Sequence, residues 1–133
     1  MRSFPLEIVT PDGLKFSGQA ESILLRTTDG DLELLAGHAD LLAALGIGRA
    51  RIITDGEHKL ASVAGGFVLV KGGKVRVIAT TFEFASEIDL DRAELAKERA
   101  EEHVKSAKNA NELRLAESRL KRALNRINVK NAR

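Results

Sequence analysis

The chain has 133 residues and no cysteine. That length suits one or two small domains and excludes a large enzyme with a deep cleft, while the missing thiols exclude disulfides and thiolate metal sites and point to a reducing compartment. The formal net charge is only +2, yet residues 112–133 carry seven Lys/Arg against two Asp/Glu, whereas residues 1–88 carry nine against eleven. A basic C-terminal arm on a mildly acidic body suits either an acidic partner or a solvated helix face.

The opening Met1-Arg2-Ser3-Phe4-Pro5 does not read as a signal peptide, so none is expected, and no apolar run reaches the roughly 18 residues of a membrane span. A soluble, cytoplasmic protein is the expectation, with a membrane-bound partner left open. Phe4, Leu6 and Ile8 alternate with polar neighbours up to the turn Pro11-Asp12-Gly13, which predicts a strand. Phe16 opens a second strand, and Ile23-Leu24-Leu25 form a third that ends at Asp29-Gly30. Leu32, Leu34 and Leu35 follow, then a loop at Gly37-His38-Ala39-Asp40. Ala50-Arg51-Ile52-Ile53 runs into Asp55-Gly56, a strong hairpin signal because both residues tolerate positive φ. Val63 leads to a break at Gly65-Gly66, and Phe67-Val68-Leu69-Val70 turns at Gly72-Gly73 into Val75, Val77 and Ile78. Lys71-Gly72-Gly73-Lys74 lacks the spacing of a phosphate loop and reads as a hairpin turn. Short strands with frequent turns predict an all-β sandwich or barrel over residues 1–85.

The period changes at Asp89, a good helix N-cap with Asp91 and Glu94 behind it. Ala93, Ala96, Ala100, Val104 and Ala107 form one helical stripe. Asn109 with Glu112 fits a variant capping box that opens a second helix, whose stripe is Leu113, Ala116, Leu120, Ala123 and Ile127. A short polar break between amphipathic helices predicts an antiparallel hairpin over residues 89–133, with a tail frayed from Asn128 onward. Alanine contacts bury little area, so the hairpin is expected to be weakly held.

Arg92 and Arg99 lie two turns apart on the first helix, and Arg122 and Arg126 one turn apart on the second. In an antiparallel hairpin the four converge near one end, and like charges there cost about 1–2 kcal/mol per pair at an effective dielectric near 20. Carboxylates such as Glu83, Glu87 and Asp89 offset part of this, and a polyphosphate would offset all of it through bidentate hydrogen bonds. Simple exposed ion pairing stays an equal alternative. His38, His58 and His103 have no ligand spacing, so no metal site is expected, and no nucleophile or acid/base pair marks a catalytic centre. The five aromatic residues are all Phe and none lies in the basic arm, which argues against a single-strand nucleic-acid platform. A nucleic-acid-binding basic helical hairpin on a β-domain, and a small nucleotide-hydrolysing enzyme, are the competing readings.

Five stretches together resemble the epsilon subunits of bacterial F-type ATP synthases. They are Ile8-Val9-Thr10-Pro11-Asp12-Gly13, Leu35-Ala36-Gly37-His38, Gly65-Gly66-Phe67, Ile88-Asp89-Leu90-Asp91-Arg92-Ala93 and Leu120-Lys121-Arg122-Ala123-Leu124-Asn125-Arg126. Ala36 departs from the proline that many relatives carry there, which bears on loop stiffness. The resemblance implies a flattened β-sandwich of about ten strands followed by two helices. It implies a non-catalytic subunit of the rotating central stalk, peripheral to the cytoplasmic face of the bacterial plasma membrane and bound to the gamma subunit and the c-ring. In the family, the loop matching Asp29, Gly30 and Asp31, with nearby His38, lies toward the ring. The hairpin either folds or extends, and when extended obstructs hydrolytic rotation and meets acidic segments of the alpha and beta subunits. Some members bind ATP as a regulatory ligand in the folded hairpin through an Ile/Leu-Asp-x-x-Arg-Ala pattern. Ile88, Asp89, Arg92 and Ala93 match that pattern, and Glu83, Arg99, Arg122 and Arg126 match its accompanying positions.

Overall fold

The computed structural model describes residues 2–132 and divides into two compact units between Phe84 and Ala85. The first unit holds eight strands: β1 (Phe4–Thr10), β2 (Gly13–Ala20), β3 (Ser22–Thr27), β4 (Gly30–Leu35), β5 (Leu41–Ala44), β6 (Ile47–Thr54), β7 (Glu57–Lys71) and β8 (Lys74–Phe84). They pair in the order β2-β1-β8-β7-β6-β3-β4, with β5 also beside β7. All neighbours are antiparallel except β1 and β8, which run parallel.

Alternation sets the inner face. Phe4, Leu6 and Ile8 of β1, Ile23 and Leu25 of β3, and Ala50 and Ile52 of β6 are buried in one core. On β7 the phase changes. Ala61 and Val63 join the core before Gly65-Gly66, but Val68 and Val70 join it afterwards. The partner strand changes at the same level: Val75, Val77 and Ala79 are inside, then Phe82. Gly66 faces Ala79 and Ala64 faces Thr81, so the two shifts lie side by side. Each long strand therefore serves both layers of a sandwich, its first half presenting one face to the core and its second half the other. The β2 end then meets β6: the Glu21 amide donates to the Ile53 carbonyl at 2.8 Å, and Thr54 Oγ1 donates to the Gln19 carbonyl at 2.9 Å.

The flattened β-sandwich expected from the resemblance is borne out, with eight strands among the described residues. Gly65-Gly66 bends one long strand without ending it. Both glycines have positive φ, +73° and +107°, which lets the chain turn while its ladder to β8 continues. Asp29-Gly30-Asp31 and His38 stand at the two ends of β4. The first is the β3–β4 turn, and His38 lies beyond the far end of β4, about 17 Å of extended chain away.

The second unit opens with a 3-10 turn (Ala85–Glu87), followed by α1 (Leu90–Ser106) and α2 (Ala110–Asn131). Asp89 caps α1 by accepting from the Arg92 amide at 3.1 Å. Lys130 Nζ donates to the Ala85 carbonyl at 3.0 Å, which brings the end of α2 beside the start of the unit and makes the pair antiparallel. The tail does not fray at Asn128: Val129 is fully buried and the helix holds to Asn131, while Arg133 lies outside the described residues.

Gly66 is the position most sensitive to a side chain. A Cβ there would collide with the Ile78 carbonyl and the Ala79 backbone, and φ is already +107°. Gly66→Ala is expected to lower unfolding stability by about 2–4 kcal/mol in urea titration. Gly18→Ala, where a Cβ meets only Phe16 at 3.7 Å, should leave it within about 0.5 kcal/mol.

Candidate functional site: one face of the helical hairpin and one face of the sheet

The hairpin is organised by alanines. Ala93 and Ala100 on α1 and Ala116 and Ala123 on α2 are buried. Both pairs are seven residues apart, so in an antiparallel pair Ala93 lies opposite Ala123 and Ala100 opposite Ala116. The same register sets Lys130 beside the residue after Ala85, in agreement with the observed hydrogen bond. Ala96, Val104, Ala107, Leu120 and Ile127 are half-buried along the seam. Leu113, expected in it, is instead exposed; the buried Ala116 and Ala123 set the direction of the seam, and Leu113 points about 80° from it.

This register also sets out the arginines. Arg126 is level with Leu90 and Arg122 with Glu94, so Arg92 falls between them; Arg99 lies about 7 Å further along. Arg92, Arg99 and Arg122 each precede a buried alanine by one residue, a rotation of about 100° to the same side. Arg126, three residues after Ala123, points about 60° to that side. Antiparallel helices are related by a two-fold axis, so equal rotations on both helices reach the same face of the hairpin. All four arginine positions therefore share one face of the hairpin within about 14 Å along the axis. Arg92, Arg99 and Arg122 are exposed and Arg126 is half-buried. Arg122 donates to Ser118 Oγ at 3.2 Å. Among the described residues Arg92, Arg99 and Arg122 have no carboxylate within ion-pair distance.

Ile88 and Ala93 are buried at the N-terminal end of α1, and Asp89 spends one carboxylate oxygen on the cap. Glu83 belongs to the other unit, on β8 opposite Ser62, and is half-buried. In the β3–β4 turn, Thr27 Oγ1 donates to the Gly30 carbonyl at 2.7 Å and Arg26 pairs with Asp31 at 3.2 Å. His38 Nδ1 lies 2.8 Å from the Ala39 carbonyl. Among the described residues no group of three or more His, Asp or Glu is arranged to hold a metal ion, and no helix is long and apolar enough to cross a membrane.

The sheet carries a feature that the sequence reading missed. Leu42 faces Leu69 across β5–β7, and Phe67 faces Ile78 across β7–β8. These four side chains point outward and form one apolar patch, with Leu42 69% and Phe67 53% exposed. The run Phe67-Val68-Leu69-Val70 is apolar on both faces, so it reads as a strand buried on both sides. The signal for a second surface was the lack of any polar alternation there.

The chain thus joins a two-layer β-sandwich, with an outward apolar patch, to a basic two-helix hairpin. The family model described as "ATP synthase, Delta/Epsilon chain, beta-sandwich domain" matches residues 3–85, and "ATP synthase, Delta/Epsilon chain, long alpha-helix domain" matches residues 86–131. The chain belongs to the delta/epsilon family of ATP synthase, as an epsilon subunit. It is 43% identical to the ATP synthase epsilon chain of Bacillus pumilus over 129 residues, covering 97% of this chain and 98% of that one. It is 38% identical to the epsilon chain of Caldicellulosiruptor bescii, covering 97% and 94%. Its fold is similar to a chain in the cryo-EM structure of the Euglena gracilis mitochondrial ATP synthase (OSCP/F1/c-ring), with a TM-score of 0.78 at 22% identity over 90% of this chain and 76% of that one. A chain in the Tetrahymena thermophila central stalk/c-ring structure gives 0.65 at 14% identity, with 98% of each covered.

The seam predicts its own sensitivity. Ala123→Leu forces a larger side chain between the helices and is expected to destabilise the hairpin by about 1–3 kcal/mol. Amide exchange should accelerate throughout α1 and α2, while β1–β8 exchange at the parent rate.

Proposed function

We propose that this chain is a non-catalytic subunit of the central stalk that couples the catalytic head to the c-ring and regulates hydrolysis through its hairpin, whose folded form binds ATP. The observation that carries the regulatory part is the set of four arginines on one face of the hairpin. Among the described residues three of them have no carboxylate within ion-pair distance, so a polyanion is best placed to relieve their mutual repulsion. Guanidinium forks suit phosphate oxygens, which accept two hydrogen bonds from each.

In this reading Arg92, Arg99, Arg122 and Arg126 hold the phosphates, and Glu83, Ile88 and Asp89 hold the adenine edge. Ala93 leaves room beside the seam. The nucleotide is a signal and not a substrate: none of these groups is assigned to activate an attacking water. A ligand that binds only the folded hairpin stabilises it by mass action, about 1.4 kcal/mol at ten times its dissociation constant. That is a useful fraction of what four buried alanine methyls supply, about 3 kcal/mol. When the nucleotide leaves, the basic second helix is free to meet acidic segments of the alpha and beta subunits. Titration of ATP into the isolated protein by calorimetry should give saturable binding, weakened about 10–100-fold by Arg92→Ala or Arg126→Ala. Binding that is absent at millimolar nucleotide, or indifferent to both substitutions, removes the sensor.

The apolar patch on β5, β7 and β8 supports docking on the gamma subunit and the ring, at the cytoplasmic face of the membrane. An exposed cluster of Leu42, Phe67, Leu69 and Ile78 is costly in water and is relieved when a partner covers it. Phe67→Asp is expected to weaken assembly with gamma at least about tenfold, read by co-purification and light scattering. Circular dichroism should be unchanged, since Phe67 is already half in solvent.

A further inference from the structure

The charges of the hairpin are sorted by face. Arg92, Arg99 and Arg122 each precede a buried alanine by one residue, whereas Glu94, Glu101 and Glu117 each follow one. Those steps are rotations of about 100° in opposite directions, so the two sets stand on opposite faces. Asp91, Glu98 and Glu102 are each two residues from a buried alanine, about 160° round from the seam. The arginine face is thereby cleared of carboxylates along most of its length.

That face continues beyond the four arginines assigned to a nucleotide. Arg119 is three residues after the buried Ala116 and His103 three after the buried Ala100, the same offset that places Arg126 there. In the antiparallel register Arg119 is level with Lys97. The order along the axis is therefore Arg126, Arg92, Arg122, Arg119, Arg99 and His103, spread over about 20 Å in steps of about 3–6 Å. The far end of this row is an open cavity of about 200 Å³ whose lining includes His103, Ser106, Glu112, Leu115 and Arg119. Both helices contribute to it, so His103 and Arg119 meet around one space. Both are exposed, as is Ser106. Among the described residues the side chains of these three have no hydrogen bond or ion pair. Glu112, the carboxylate at this cavity, accepts from the Lys108 amide through Oε2 at 2.9 Å.

A triphosphate is shorter than this row. The groups left over are of kinds that bind phosphate oxygens: a guanidinium fork, an imidazole N–H and a hydroxyl. No aromatic residue follows Phe84, so the hairpin offers nothing on which bases would stack. The face therefore suits closely spaced anionic oxygens on an unbranched chain that carries no bases.

We propose that the arginine face of the folded hairpin binds a linear polyphosphate longer than three phosphates, with Arg119, His103 and Ser106 holding the part of the chain that a nucleotide does not reach. This rests on the phosphate-binding role proposed above for Arg92, Arg99, Arg122 and Arg126, and names a second ligand class for the same face.

Calorimetry on the full chain at one fixed ionic strength compares tripolyphosphate with a longer linear polyphosphate of defined length. The longer chain is expected to bind at least about tenfold tighter. Arg119→Ala combined with His103→Ala should remove most of that gain and change ATP affinity by less than about threefold. Arg114→Ala combined with Lys121→Ala takes two cationic groups from the far side, each two residues from a buried alanine, and should leave the gain intact. Alanine is a good helix former, so both double variants keep their helices. Equal affinity for short and long chains overturns the proposal. So does an equal loss in the two double variants, the mark of unselective attraction. A single-stranded oligonucleotide of equal charge that binds as tightly as the long chain overturns it too. If ATP binds and needs Arg92 while the long chain gains nothing, the polyphosphate site falls and the ATP sensor stands. If the long chain binds and needs Arg119 while ATP does not bind, the sensor falls and the polyphosphate site stands. If no phosphate compound binds, both fall.

Discussion

The alanine seam between α1 and α2 is the constraint on which the rest of the hairpin depends. Ala93 against Ala123 and Ala100 against Ala116 let the helices approach closely, and that closeness sets the register. The register in turn decides which arginines share a face and how far apart they stand. Small side chains make the contact geometrically exact in register yet weak in energy, about 0.8 kcal/mol for each buried methyl. One cap, near 1 kcal/mol, or the proposed nucleotide at modest saturation would act on the same scale as the packing itself. An element held by leucines would be indifferent to both.

The β unit is built on the opposite principle. Its core is filled by large aliphatic groups and Phe82, and β7 and β8 run the length of both layers. The bend at Gly65-Gly66 swaps inner and outer faces, which is how the same hairpin buries Ala61 and Val63, then Val68 and Val70, and still presents Phe67 and Leu69 outward. A body filled with large side chains that also carries an apolar outer surface suits the docking role proposed for it, and a basic hairpin seamed by alanines suits the proposed regulatory one.

Basic charge gains its meaning from this arrangement. Seven Lys/Arg in the last 22 residues would be an ordinary solvated surface on an isolated helix. Folded back along α1, two of them join Arg92 and Arg99 on a common face. The repulsion among them falls steeply when the helices part, so the charges oppose the closed form and an anion favours it.

Much was legible in the chain itself. Period-two alternation in Phe4, Leu6 and Ile8, the Asp55-Gly56 turn, the caps at Asp89 and Asn109, and the arginine spacings are local signals, read from neighbours within a few residues. The structure bears out those strands, turns and caps. What only the tertiary structure decided depends on residues far apart in sequence. Whether Gly65-Gly66 ends a strand or bends it depends on Thr81 and Ala79 continuing the ladder across from it. Whether Phe67 faces the core depends on that bend, and whether Val129 ends a frayed tail or a buried turn depends on the helix closing against Ala85. Local propensity sets what each segment can form, and burial by distant partners selects which face of it is inside.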